Sequence, residues 1–275
     1  MRLLALLSLV PCSLGGGVAV LFTGQLRLGR DGVRAVRARC ANASVFVSSY
    51  ADYGPIASEL APRRRVLLAG AEDVARARET SGCCTFDDRR GSCWQWFALD
   101  RALRRWGPEL AAFGTVVRTR SDLATPATFS YAALAASPGV VRCLTDNFFY
   151  VAGADLDRLF GDFFRLAQTR YCGATGPSDW KRYEAEFGRL VVPGASAFES
   201  CKRAPRPNHV VHNVPWMNMN RPGAAASFYS EYAFSYHVVA KGARCTPPLG
   251  VPGPFCLERS ATGGRAQCRD SNKFP

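Results

Sequence analysis

Five short apolar runs, separated by stretches with helical spacing, constrain this chain most. They are Val18–Phe22, Val45–Val47, Arg65–Ala69, the run opening at Thr115, and Val140–Leu144. Runs of this length, rich in β-branched residues and bounded by turn formers, read as buried strands. Val18–Phe22 enters a glycine turn, Thr23-Gly24-Gln25-Leu26-Arg27. The basic stretch that follows, as far as Arg39, places Val33 and Val36 on one helical face. Pro55–Leu60 reads as a helical turn, and Trp94–Phe113 as a long amphipathic helix with Trp96, Leu99, Leu103 and Trp106 turned inward. Strands alternating with helices predict an α/β fold. Its central sheet is expected to be mainly parallel, with helices on both faces.

The stretch Thr115-Val116-Val117-Arg118-Thr119-Arg120-Ser121-Asp122-Leu123 stands apart from the other runs because charge enters it. Side chains alternate along a strand, so Val116, Arg118, Arg120 and Asp122 share one face. Two guanidinium groups and a carboxylate are costly to bury unpaired. They suit a strand that emerges into a polar site, and in open α/β sheets ligands bind beyond the carboxyl ends of strands. Arginines there match a diphosphate, and an aspartate matches a divalent cation. A structural Arg–Asp pair is the alternative.

Beyond this strand, Pro126–Ala136 resembles a small helix, and Thr145-Asp146-Asn147-Phe148-Phe149-Tyr150-Val151 looks like a second site edge running into an aromatic strand. Ala154–Gln168 has the spacing of one amphipathic helix. Asp155-Leu156-Asp157 within it matches the string DxD but reads as first-turn acids facing the helix macrodipole. Further helices are expected at Ser178–Phe187 and from Ala197, and a strand at His209–Val214. From Gly242 on, Gly, Pro, Cys and Arg dominate, as in a loop-rich tail held by Cys245, Cys256 and Cys268. Three segments follow: 1–17 as signal peptide or signal anchor, 18–241 as the folded domain, and 242–275 as the tail.

The formal net charge is +13, almost all of it from arginine. Such a balance favours anionic partners. The arginines are scattered and no nucleic-acid-binding motif appears, so nucleic acid is not expected. Eleven cysteines are many for a cytosolic enzyme. The N-terminus reads Met1-Arg2, then an apolar Leu3–Val10, then small and turn-forming residues from Pro11 to Gly17, as in a secretory signal. Leu3–Phe22 carries no charge and is long enough to span a bilayer, so a retained anchor is the alternative. Removing Cys12 with a signal leaves ten cysteines, a number compatible with disulfides in an oxidising compartment. No CxxC pair supports a zinc site.

Phe22-Thr23-Gly24-Gln25-Leu26-Arg27 together with Val117-Arg118-Thr119-Arg120-Ser121-Asp122-Leu123 resembles a family of glycosyltransferases found among polysaccharide-biosynthesis proteins. That family has a "SGQLR" first strand and an "RTRxDL" central strand. Thr145–Tyr150 is similar to its Asp-plus-aromatic segment, and Phe198-Glu199-Ser200 to its later acidic position. The resemblance runs from about Val18 to about Cys201. Thr23 stands where serine is usual, and the segment Cys83–Cys93 and the tail have no counterpart.

The resemblance implies a GT-A-like, nucleotide-diphospho-sugar transferase fold and transfer of a sugar to a glycan or glycoprotein acceptor in the secretory pathway. It implies Mn²⁺ or Mg²⁺, with Asp122 as a metal ligand at the last position of an incomplete DxD whose first position is Arg120. His212 is a candidate late ligand. Gly24, Gln25, Arg27, Arg118 and Arg120 are the candidate nucleotide-sugar contacts. Asp146 and Glu199 compete for the general base that deprotonates the acceptor hydroxyl. A disulfide-stabilised, non-catalytic binding protein with the same fold is the alternative.

Overall fold

The computed structural model describes residues 16–28, 30–79, 86, 93–121, 123–124, 128–145, 148–169, 234, 237–238, 240–246, 255–257 and 267–269. Their strands are β1 (Val18–Thr23), β2 (Ser44–Tyr50), β3 (Val66–Ala69), β4 (Thr115–Thr119), β5 (Leu123–Ala124), β6 (Val140–Thr145), β7 (Phe148–Val151), β8 (Arg244–Thr246), β9 (Phe255–Leu257) and β10 (Gln267–Arg269). The helices are α1 (Arg30–Arg39), α2 (Gly54–Leu60), α3 (Ala71–Glu79), α4 (Cys93–Ala111), α5 (Gly153–Phe160) and α6 (Phe163–Thr169). Seven strands form one sheet in the order β3-β2-β1-β4-β7-β6-β8, and β10-β9-β5 form a second, small sheet.

β1 lies near the middle of the main sheet because Val18–Phe22 carries no polar side chain. All six of its residues are buried, as a strand covered on both faces requires. Val18, Val20 and Phe22 pack into one core with Val33 and Val36 of α1 and Ala57 and Leu60 of α2. Ala19 and Leu21 pack into the opposite core with Trp96, Leu99 and Leu103 of α4 and with residues of α5 and α6. The molecule is therefore an α/β fold with helices on both faces of its sheet. The chain steps outward from β1 to β2 to β3 with α1 and α2 on one face, then returns to β4 with α4 on the other. Reversing direction and face together keeps the crossovers the same hand.

The sheet is mixed, which corrects the mainly parallel arrangement expected from sequence. β1 is parallel to β2 and β4, and β2 is parallel to β3. β7 runs antiparallel to both β4 and β6, and β6 is parallel to β8. The reason is connection length. Only Asp146 and Asn147 separate β6 from β7 in the sequence. A parallel crossover needs a dozen or more residues, whereas two suffice for a hairpin.

Three local expectations also change. Ala154–Gln168 is two helices, α5 and α6, interrupted at Gly161-Asp162. Pro126–Ala136 yields one turn of 3₁₀ helix at Tyr131–Ala133 instead of a small helix. Ser130 there is extended, and Phe129 and Tyr131 turn into the core against Phe148 and Phe22. The segment beyond Gly242 supplies β8 to the edge of the main sheet and β9 and β10 to the small one, so it is not simply a loop-rich tail. The segments expected at 1–15, 178–187, 197–201 and 209–214 lie outside the described residues. No helix among the described residues is long and apolar enough to cross a membrane.

Cys93 and Cys143 are disulfide-bonded, although no complete disulfide lies among the described residues. Cys40 is a buried free thiol whose pKa burial pushes up to about 12, with nearby Arg39 opposing, so it is an inert apolar filler. Its freedom alters the parity argument. With Cys12 set aside, the remaining ten less Cys40 leave nine, an odd number.

α5 begins in close contact with the end of α4. The Gly153 N–H donates to the Phe113 carbonyl at 3.2 Å. A Cβ at Gly153 would lie 2.3 Å from that oxygen and 2.4 Å from the Leu110 carbonyl. Both are backbone atoms, so a helix must move to admit a methyl group. Gly153→Ala should lower stability by about 1–3 kcal/mol, read as a lower urea midpoint at unchanged slope.

The segment near 237–241 docks on the same helices. His237 is fully buried, with Nε2 facing the Leu159 carbonyl, and Lys241 Nζ donates to Asp162 at 2.8 Å. Burial lowers the His237 pKa to about 4, against the opposing pull of the Leu159 carbonyl and Asp162. An unfolded imidazole titrates near 6.5. Between these values the unfolded chain holds the extra proton, so stability falls as pH drops from about 6.5 through 4. Melting temperatures between pH 7.5 and 4.5 should show this decline, and His237→Gln should flatten it.

Candidate functional site

The strand order reverses between β1 and β4: the chain leaves β1 toward β2 and β3, then returns on its other side. Crevices beyond the carboxyl ends of such strands are where open α/β sheets bind ligands. Here the β1 end is Thr23-Gly24-Gln25 and the β4 end is Thr119-Arg120-Ser121. They meet directly, with Ser121 Oγ 3.5 Å from the Gln25 carbonyl.

Gly24 is required at this junction for two reasons. Its φ is +94°, a region that L-residues rarely adopt, and a Cβ would stand 3.2 Å from Gln95 Cα. The Gly24 N–H donates to the Ser48 carbonyl at 3.1 Å, and its carbonyl accepts from Ser49 Oγ at 2.7 Å. The chain thus turns sharply off β1 while held to the end of β2. The backbone it brings close is the first turn of α4. Ser48 Oγ itself is buried with no hydrogen-bond partner among the described residues.

Arg118 reinforces the same junction from beneath. Its side chain is fully buried on the α4 face of the sheet. Nε donates to Thr23 Oγ1 at 2.8 Å and Nη2 to Gln95 Oε1 at 2.6 Å. The guanidinium lies 5.2 Å from the Trp96 ring centroid and 6.0 Å from that of Phe149. Its desolvation cost is offset by hydrogen bonds and cation–π contacts. From β2, Tyr50 donates its hydroxyl proton to the Trp94 carbonyl, and its ring meets Trp94 edge-on at 4.4 Å. Burial raises the Tyr50 pKa well above its ordinary value, which keeps the phenol a donor.

Of the residues singled out from sequence, the structure brings Gly24, Gln25 and Arg120 to one place. Arg120 is half-buried, and Ser121 beside it is buried. Gln25 is half-buried and accepts on Oε1 from Nη2 of exposed Arg27. Arg118 sits under the crevice instead of opening into it. Asp122, Asp146, Glu199 and His212 lie outside the described residues. No group of three or more His, Cys, Asp or Glu able to hold a metal ion occurs among the described residues.

Sequence reasoning missed Gln95, Thr23, Ser49 and Tyr50, the residues that build the junction. A signal for Gln95 existed. It opens the apolar stripe Leu99, Ala102, Trp106 of α4 at helical spacing, a polar residue where the pattern calls for an apolar one.

The arrangement can attract an anion. Arg120 and Arg27 carry positive charge at the strand ends, and the docking of Gln95 on Gly24 brings the positive end of α4 to the same edge. No protein-family model matches the chain, and neither a curated protein nor a solved structure matches it.

The buried tie can be tested by itself. Gln95→Leu keeps the volume but removes the acceptor facing Arg118 Nη2. It should cost about 1–3 kcal/mol in urea unfolding, the cost of leaving a buried donor short of its partner.

Proposed function

We propose that this chain is a glycosyltransferase of the GT-A-like type, moving a sugar from a nucleotide-diphosphate donor to a glycan or protein acceptor. The observation that carries this reading is the meeting of Gly24-Gln25 and Arg120-Ser121 at the switch point between β1 and β4. In such a site Gln25, Arg27 and Arg120 hold the diphosphate, and Arg120 meets the charge that develops on the leaving group. Asp122 follows Ser121 directly in the chain and is the residue to hold Mn²⁺ or Mg²⁺, with His212 as a second candidate. A bound ion would supply further neutralisation of the leaving diphosphate. Asp146 comes next in the sequence after β6, a strand that runs in the same direction as β1 and β4. Asp146 is the candidate base for the acceptor hydroxyl, with Glu199 as the alternative. The disulfide-bonded states of Cys93 and Cys143 support a lumenal or secreted setting.

A non-catalytic binding protein on the same scaffold is the second reading. It is favoured by Arg118, whose hydrogen bonds to Thr23 and Gln95 commit one of the two strand arginines to structure.

Calorimetric titration of UDP, GDP and CMP, with and without Mn²⁺, separates the readings. Wild type should bind one of them, and Arg120→Ala should weaken that binding by roughly tenfold or more, as for loss of a charged hydrogen bond. Asp122→Ala should remove the Mn²⁺ dependence. Asp146→Asn should spare nucleotide affinity and reduce turnover by on the order of a hundredfold or more, the range for a lost general base. Absence of nucleotide binding in wild type would end the glycosyltransferase reading.

A further inference from the structure

A second concave region lies on the flank of α4, bounded by α3, α6 and the end of β3. Its volume is about 690 Å³, within the range of about 300–1,000 Å³ usual for ligand sites. Its floor is apolar, with Leu67, Phe97 and Phe164, and its walls carry Arg76, Arg101, Arg104, Arg105 and Arg165. Asp73 and Asp100 are the acidic residues among its described lining, leaving a formal balance of +3 there. No lysine lines it.

Both aspartates are already engaged. Asp73 pairs with Arg101 at 3.3 Å, and buried Asp100 pairs with Arg104 at 2.8 Å. No salt bridge involves Arg76 or Arg105 among the described residues, and both side chains are exposed. Arg101 and Arg105 stand one turn apart on α4, about 6 Å along its axis. The groove thus presents guanidinium groups at intervals above an apolar floor.

We propose that this groove binds a glycan segment bearing sulfate or carboxylate groups. Guanidinium groups grip such oxyanions through paired N–H donors. The groove is broadly open to solvent, and its volume is enough to seat a short chain segment. Single-stranded nucleic acid binds by stacking bases on open aromatic faces. The floor rings are taken up by one another: Phe97 packs on Phe164 at 5.4 Å, on Phe86 at 5.8 Å and on Tyr50 at 6.5 Å, and Arg101 lies over it at 5.8 Å. That arrangement favours an anionic saccharide over a base-stacking ligand. The groove shares no lining residue with the switch-point crevice, so the proposal stands whether or not the protein transfers sugar, and its test reads binding alone.

The test is calorimetric titration of the full-length protein with a heparin-derived sulfated hexasaccharide, a uronate-only hexasaccharide, a neutral hexasaccharide and a deoxythymidine hexamer. One or both acidic glycans should bind, and the tighter of the two identifies the oxyanion. The neutral glycan should bind at least tenfold more weakly. Arg76→Ala/Arg105→Ala should reduce acidic-glycan affinity by tenfold or more with unchanged melting temperature, because neither side chain is paired. Arg63→Ala/Arg64→Ala removes the same charge from exposed residues outside the groove and should leave affinity within about twofold, a shift in free energy of under about 0.5 kcal/mol. Three results would overturn the proposal: no binding of either acidic glycan, equal losses in the two double variants, or tighter binding of the deoxythymidine hexamer.

Discussion

The buried guanidinium of Arg118 holds the architecture of the sheet edge together. It rises from the middle strand β4, bonds to Thr23 at the end of β1 and to Gln95 in the first turn of α4. A single charged group thereby joins two strands to the helix that precedes one of them. Such a group is tolerated in an apolar core only when its donors find acceptors, so its presence dictates polar residues at Thr23 and Gln95. Gly24 is the complementary constraint. Its bare α-carbon lets the first turn of α4 lie close over the end of β1, where a Cβ would stand 3.2 Å from Gln95 Cα.

This tie has a consequence for chemistry. Arg118 is engaged below, and Arg120, just past the end of β4, stands at the rim with Gln25 and Ser121. A rigid floor beneath a half-buried arginine limits the freedom lost when a ligand binds. The aromatic layer on the α4 side, with Trp96, Phe149, Phe160, Phe163 and Phe234 in mutual contact, supplies much of that rigidity. The charge at the edge thus rests on buried charge one layer down.

α4 links the two regions for which ligand binding is proposed. Its first turn closes the switch-point crevice, and its middle turns carry the arginines of the lateral groove. Its buried residues are apolar apart from Gln95, Asp100 and the cysteine at its start, so it packs as a core helix. Its outward face, with Arg101, Arg104 and Arg105, is where charge accumulates. One helix therefore serves the core, the crevice and the groove through different faces.

Much of the scaffold was legible from the amino-acid pattern alone. Val18–Phe22 read as a buried strand, and the helical spacing of Trp96, Leu99, Leu103 and Trp106 marked the inward side of α4. The turn at Gly24 and the emergence of charge from β4 were also visible. Local rules of periodicity and turn chemistry decide such features, and they act over a few residues. The antiparallel β7 was legible too, in the two-residue separation from β6, but helix–strand alternation elsewhere masked it. Other features depended on contacts between distant segments. That Arg118 faces inward and Arg120 sits at the rim follows from how α4 lies across the sheet, 23 residues earlier in sequence at Gln95. A strand's alternation places both arginines on the same face and cannot distinguish them. Only the helix packed over one and not the other makes that distinction, because burial and hydrogen-bond pairing are properties of the assembled fold.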